Sequence, residues 1–218
     1  VTAADPIRST LEACLADGVF LAARLPEGAP LVPACRAAAR GGLRLLEITL
    51  TTSGALEAIR ALSRDDDVVV GAGTVLTVDA VRDVAAAGAR FAMSPVLDPA
   101  VVAEAHRLGL LAIPAGGTAT EILAAWRTGA RLVKVFPSGP LGGPDFLRKL
   151  RGPLPDIPLV PTSGPSAETI ADYLAAGAVA VGVGSEVFPP GFTLADVERA
   201  ARRVRDAMDR ARRPSAER

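Results

Sequence analysis

The stretch Asp79-Ala80-Val81-Arg82-Asp83-Val84-Ala85-Ala86-Ala87-Gly88-Ala89-Arg90-Phe91-Ala92-Met93 reads as a helix, a stop and a strand. Asp79 to Ala87 combines good helix formers with helical periodicity. Gly88 stands where a left-handed residue ends a helix without a Cβ penalty. Phe91 to Met93 is a short apolar run, the signature of a strand buried on both faces, as in a parallel sheet covered by helices.

Working outward, the same unit recurs. Strand-like runs are expected at Val19–Arg24, Leu45–Thr49, Val68–Val70, Phe91–Met93, Leu111–Ile113, Leu132–Phe136, Leu159–Val160 and Val179–Val183, eight in all. Helical stretches such as Ser53–Arg64, Pro99–Leu108 and Ala167–Ala176 lie between them, and Gly42, Gly109, Gly129 and Gly177 repeat the role of Gly88. The spacing holds one strand, one helix and two short loops. Eight such units predict a (β/α)8 barrel as a single domain, with the barrel core at about 18–188 and a C-terminal amphipathic, arginine-rich helix at about 194–213. A frayed tail is expected over Pro214–Arg218. The rival, an open doubly wound sheet, would show a dinucleotide or phosphate fingerprint, and neither GxGxxG nor GxxxxGK[ST] occurs.

Composition narrows the function classes. Half of the 218 residues are apolar, enough for a substantial core. Lysine plus arginine equals aspartate plus glutamate at 24 each, which argues against nucleic acid or an anionic membrane as partner and favours a small molecule. Cys14 and Cys35 have no CxxC spacing and no histidine cluster, so neither a disulfide framework nor a zinc site is indicated, and a reducing cytoplasm is expected. The segment Val1–Pro6 lacks a basic region followed by an apolar one, and no apolar run reaches the roughly 18 residues of a membrane span.

One of only two lysines, Lys134, sits inside Leu132-Val133-Lys134-Val135-Phe136-Pro137. Burying an ammonium there is costly, and the bland alternative is a stem that snorkels outward. In a barrel, however, the C-terminal strand ends converge on one face. Those ends carry Arg24, Glu47 with Thr49 and Thr51, Gly71-Ala72-Gly73-Thr74, Ser94-Pro95, Pro114, Lys134 with Phe136, Thr162-Ser163-Gly164 and Gly182-Val183-Gly184-Ser185. Lysine attacks a ketone only when neutral, and burial with a neighbouring cation is the general route to that state. Glu47 is placed to move a proton; its plainer reading is an ion pair with an arginine. The two late loops occupy positions where barrels bind phosphate on backbone N–H groups, and the hydroxyl and amide of Thr74 could hold a carboxylate. His106, before Arg107-Leu108-Gly109, reads as a surface cation at a helix end. Trp126 is expected to pack on the barrel or a neighbouring subunit, and Lys149 to lie on a solvated helix face.

In order and spacing, Leu46-Glu47-Ile48-Thr49-Leu50, Gly71-Ala72-Gly73-Thr74-Val75-Leu76, Met93-Ser94-Pro95, Ile113-Pro114, Thr118-Ala119-Thr120-Glu121, Val133-Lys134-Val135-Phe136-Pro137, Pro161-Thr162-Ser163-Gly164 and Val183-Gly184-Ser185 closely resemble the 2-keto-3-deoxy-6-phosphogluconate / 4-hydroxy-2-oxoglutarate aldolase family. The resemblance runs from about residue 7 to residue 188. It implies a class I aldolase, without metal or other cofactor, that releases pyruvate from a 2-keto acid and commonly forms a homotrimer. By the same resemblance Lys134 is the Schiff-base lysine and Glu47 the proton-transfer residue. Arg24 and Thr74 hold the pyruvate carboxylate, Phe136 lines the pyruvate pocket, and Ser163, Gly164 and Ser185 face a phosphate. Pro114, Thr51, Thr162 and Gly184 complete the expected substrate-binding set.

Three departures bear on substrate choice. Thr51 stands where many members have arginine, a change worth about 2–5 kcal/mol of carboxylate binding if nothing compensates. Ser163 adds a Cβ where the family usually has glycine, and Ala115 replaces a glycine after Pro114. Two other readings use the same features: a phosphate-binding barrel isomerase or synthase, which would not need Lys134, and a catalytically silent anion-binding barrel.

Overall fold

The computed structural model describes residues 5–213, so the expectations for Val1–Ala4 and for the tail Pro214–Arg218 lie outside the described residues. In chain order the elements are α1 (Pro6–Asp17), β1 (Val19–Ala23), α2 (Leu31–Arg40), β2 (Leu45–Thr49), α3 (Ala55–Leu62), β3 (Val69–Gly73), α4 (Val78–Ala86), β4 (Phe91–Met93) and α5 (Pro99–Arg107). There follow β5 (Leu111–Ile113), β6 (Ala115–Gly116), α6 (Ala119–Arg127), β7 (Val133–Val135), α7 (Gly143–Arg151), β8 (Leu159–Pro161), α8 (Ile170–Ala175), β9 (Val181–Val183) and α9 (Leu194–Arg212). Among the described residues, no helix is long and apolar enough to cross a membrane.

The strands close into a ring. One run is β5-β4-β3-β2-β1-β9 and the other β6-β7-β8. Parallel bridges Leu159–Ala178 and Thr162–Gly182 join β8 to β9. The remaining junction is covalent: β5 and β6 are halves of one barrel strand split at Pro114, which has no N–H for a ladder. Its carbonyl still accepts the Lys134 N–H at 2.9 Å. The expected (β/α)8 barrel is what the chain forms. The third strand runs further than read from the sequence, to Gly73 instead of Val70, because Gly71 and Gly73 keep pairing with β2 on the barrel's inner face.

Strand alternation separates two cores. Leu46, Ile48, Val133, Val135, Val181 and Val183 join the layer between strands and helices. Phe20, Leu45, Phe91, Met93, Leu111, Ile113, Leu132 and Val160 fill the barrel interior, and α1 plugs that end with Cys14, Ile7 and Leu11. Phe20 and Phe91 meet edge to face at 5.3 Å, a favoured aromatic geometry. A Cβ at residue 71 would collide with the Phe91 ring. Helix α9 holds the plug in place: Arg205 donates to the carbonyl of Asp17 at 2.9 Å and Arg212 to that of Leu15 at 2.9 Å. Those carbonyls are among the last of α1, which have no partner within the helix.

Candidate active site

Above the apolar interior the inner wall turns polar. Glu47, Thr49, Lys134 and Thr162 are all buried. Lys134 is central in β7, its flanking valines facing the outer core, so its side chain must enter the barrel. Glu47 occupies the matching inward position of β2. Nζ of Lys134 lies 3.7 Å from Oε1 of Glu47, with side chains only 8 % and 3 % exposed. The partner of Glu47 is therefore this lysine and not an arginine. Loss of water pushes the Glu47 carboxyl above the usual carboxylate range, against the pull of Lys134 and then Arg24. Gly73 makes room for it, since a Cβ there would overlap the Glu47 carboxylate. The Phe136 ring centroid is 5.1 Å from Nζ, within cation–π range.

These groups open into a cavity of about 470 Å³. Two buried oxygens there, Glu47 Oε2 and Thr162 Oγ1, have no hydrogen-bond partner among the described residues; a bare buried acceptor is costly unless a ligand satisfies it. At the mouth, Arg24 donates from Nη1 to Thr51 Oγ1 at 3.1 Å and from Nη2 to Thr74 Oγ1 at 3.3 Å. Beside β1 in the ring, the loops after β8 and β9 bring Ser163, Gly164, Gly184 and Ser185 to the cavity. The Ser163 amide faces Gly182 across the Thr162–Gly182 bridge, and the Gly164 and Ser185 amides have no acceptor among the loop and turn hydrogen bonds of the described residues. Ser163 adopts φ 59°, the left-handed region that glycine enters freely. A Cβ at Gly164 would overlap the Tyr173 hydroxyl and crowd the Gly139 nitrogen.

Of the residues singled out from sequence, Lys134, Glu47, Arg24, Phe136, Thr162, Ser163, Gly164, Gly184 and Ser185 line this one cavity. Thr51 and Thr74 stand beside it as acceptors for Arg24. Pro114 is not in its wall; it borders a small outer depression with Ser94 and Val96. Sequence reasoning missed Ala22 and Phe188. Ala22 could have been found from alternation between Phe20 and Arg24, whereas Phe188 follows β9 in a loop with no period to place it. Also missed was Glu186, which accepts the Ala167 N–H at 3.2 Å and an Arg203 N–H at 3.3 Å, tying the loop after β8 to the loop after β9.

His106 departs from its expectation as a surface cation. It is half-buried with Nε2 unpartnered among the described residues, and burial, then Arg131, lowers its pKa. It borders a separate cavity with α1, away from Lys134. Trp126 packs against the outer core, and Lys149 is an exposed partner of Asp145 at 3.3 Å. Among the described residues, no group of three or more His, Cys, Asp or Glu is arranged to hold a metal ion.

Comparison with known proteins agrees with this geometry. The family model described as KDPG and KHG aldolase matches residues 18–202. A 2-dehydro-3-deoxy-phosphogluconate aldolase of Treponema pallidum is 41% identical over 159 residues, covering 72% of this chain and 76% of that protein. Among solved structures, the 2-keto-3-deoxy-6-phosphogluconate aldolase of Zymomonas mobilis ZM4 with 3-phosphoglycerate superposes with a TM-score of 0.83 at 28% identity, over 91% of this chain and 95% of that one. The KDPG aldolase of Legionella pneumophila, with pyruvate captured as a covalent carbinolamine, superposes with a TM-score of 0.77 at 29% identity, over 90% and 96%. The chain belongs to the KDPG and KHG aldolase family.

Proposed function

We propose that this protein is a class I aldolase cleaving a 2-keto-3-deoxy-6-phospho sugar acid, or 4-hydroxy-2-oxoglutarate, to pyruvate and an aldehyde. The observation that carries the reading is the buried Lys134–Glu47 pair, 3.7 Å apart on the inner wall. Neutral Lys134 attacks the C2 carbonyl, and loss of water leaves an iminium. Glu47 takes the proton of the C4 hydroxyl. The C3–C4 bond then breaks, its electron pair flows to the iminium nitrogen as an enamine, and the aldehyde departs. Glu47 returns the proton to C3, and water releases pyruvate from Lys134.

Arg24 takes the substrate carboxylate, with Thr74 and Thr51 beside it, and Phe136 packs on the three-carbon unit. Ser163, Gly164 and Ser185 face the phosphate, the Gly164 and Ser185 amides pointing donors at it, and Thr162 and Gly184 line the path between. One barrel unit with its C-terminal helix carries the whole of this chemistry. A homotrimer is supported by Leu76 and Val96, exposed by 48% and 50% just beyond neighbouring strands, because burying apolar surface favours association. Two free, buried cysteines suit a reducing cytoplasm.

Borohydride reduction with pyruvate, followed by intact mass and peptide mapping, tests the reading: a pyruvyl adduct on Lys134 is expected, and none at saturating pyruvate would overturn it. A panel of phosphorylated and unphosphorylated 2-keto-3-deoxy acids tests the anion loops, which predict a preference for the phosphorylated member.

A further inference from the structure

Arg24 follows the last residue of β1, and its side chain is exposed at the mouth of the cavity. An exposed arginine carries much rotamer freedom, which it must lose to present a fixed N–H edge to a carboxylate. Around Arg24 the structure supplies an unusual density of threonine hydroxyls. Nη1 donates to Thr51 Oγ1 at 3.1 Å. Thr51 Oγ1 donates to Thr49 Oγ1 at 3.4 Å, and Thr49 Oγ1 donates to the Ala23 carbonyl at 3.2 Å. The chain of hydroxyls thus starts on the arginine head and ends on the backbone one residue before it. Thr52 closes the other side: its Oγ1 lies 3.0 Å from Thr49 Oγ1, 3.4 Å from the Ala23 carbonyl, and accepts the Leu25 N–H at 3.3 Å. Thr49 and Thr52 are buried, 1% and 5% exposed, so these bonds are little contested by water. On the far side Thr74, from the turn after β3, accepts from Nη2.

We infer that Thr49 and Thr52 are positioning residues that preorganise Arg24 for the substrate carboxylate, acting through Thr51 and through the backbone on either side of the arginine. The proton accounting is consistent. Each hydroxyl has one proton to give: Thr51 gives its own to Thr49, and Thr49 to Ala23, which leaves a lone pair of Thr51 Oγ1 to accept from the guanidinium, a group that only donates. Two of its five N–H groups are used, leaving three for a carboxylate. Where an arginine at residue 51 would add a second charge, Thr51 here anchors the charge already present. The inference rests on the reading that Arg24 takes the carboxylate.

The test is imine trapping on Lys134 by borohydride in the full chain, measured against concentration for pyruvate and for acetone, a ketone without a carboxylate. Thr52→Val should raise the half-saturating pyruvate concentration about tenfold, leave that of acetone unchanged, and be restored by Thr52→Ser. In an Arg24→Met background Thr52→Val should add nothing for pyruvate. Thr51→Val, at an exposed position, should shift pyruvate in the same direction and covers the case in which Thr52→Val folds poorly. Equal shifts for both ketones, or an undiminished effect without Arg24, would overturn the positioning role while leaving the aldolase reading intact. Failure of the parent protein to trap pyruvate at all would overturn both.

Discussion

Glu47 is under opposing demands: burial favours its neutral form, whereas the proposed removal of a hydroxyl proton needs the carboxylate. Because its pKa is raised in the folded protein, the acid limb of kcat/KM should lie above the ordinary carboxylate range. Glu47→Gln should abolish that limb and lower kcat by about 10²–10⁴-fold, as a pH–rate profile would record. The same raised pKa favours the fold at low pH, and that contribution is lost as pH rises through the folded value. The denaturant midpoint of the parent relative to Glu47→Gln should accordingly fall from acid to neutral pH. Ser163 makes a second residue-scale prediction. At φ 59° its Cβ is strained, so Ser163→Gly should stabilise the protein by about 0.5–1 kcal/mol, read as a higher urea midpoint. Lys134 and Glu47 were visible in the sequence because a charge inside an apolar run is conspicuous. Convergence of the strand ends made them neighbours; their 3.7 Å contact was not legible, since it depends on the register of β2 and β7 facing each other across the barrel.

Elements held their type and shifted at their ends. The expected helix Ser53–Arg64 is Ala55–Leu62, starting after Gly54 at φ 74°. The expected Ala167–Ala176 begins only at Ile170, because Thr169 Oγ1 accepts the Ser166 N–H at 2.9 Å and holds a turn there. Thr118-Ala119-Thr120-Glu121, part of the family pattern, is a capping box on α6, so its residues serve the helix end and not the chemistry. Between elements, Glu104 of α5 binds Arg82 of α4 and Arg107, each at 2.7 Å. Those guanidinium groups hold its carboxyl down to about 2. A depressed pKa contributes stability above the ordinary carboxylate range that is lost as pH falls through about 2. Glu104→Gln should therefore lower Tm at neutral pH, with the difference closing on acidification.

At the scale of the molecule, the barrel separates a floor that gives stability from a rim that carries chemistry. Phe91 belongs to the floor, packed on Phe20 and in the space left by Gly71. Phe91→Ala should cost about 3–5 kcal/mol in denaturant unfolding. The protein that remains folded should still trap pyruvate on Lys134, because the floor lies at the other end of the strands. The arginine-rich α9 was legible as a helix, but its capping of the plug α1 was not: a short helix outside the alternation carries no period that reveals its partner.

What the sequence determined by itself was the alternation of strands and helices, the eightfold count, and the few polar residues set into apolar strands. These are local properties, since a strand's burial and a helix's face are written within one or two turns of chain. Tertiary structure alone decided that Lys134 and Glu47 come within 3.7 Å, that Thr51 and Thr74 grip Arg24, and that Pro114 stays outside the cavity. Those meetings are set by strand register and by closure of the ring, which bring residues far apart in sequence within a few ångströms of each other.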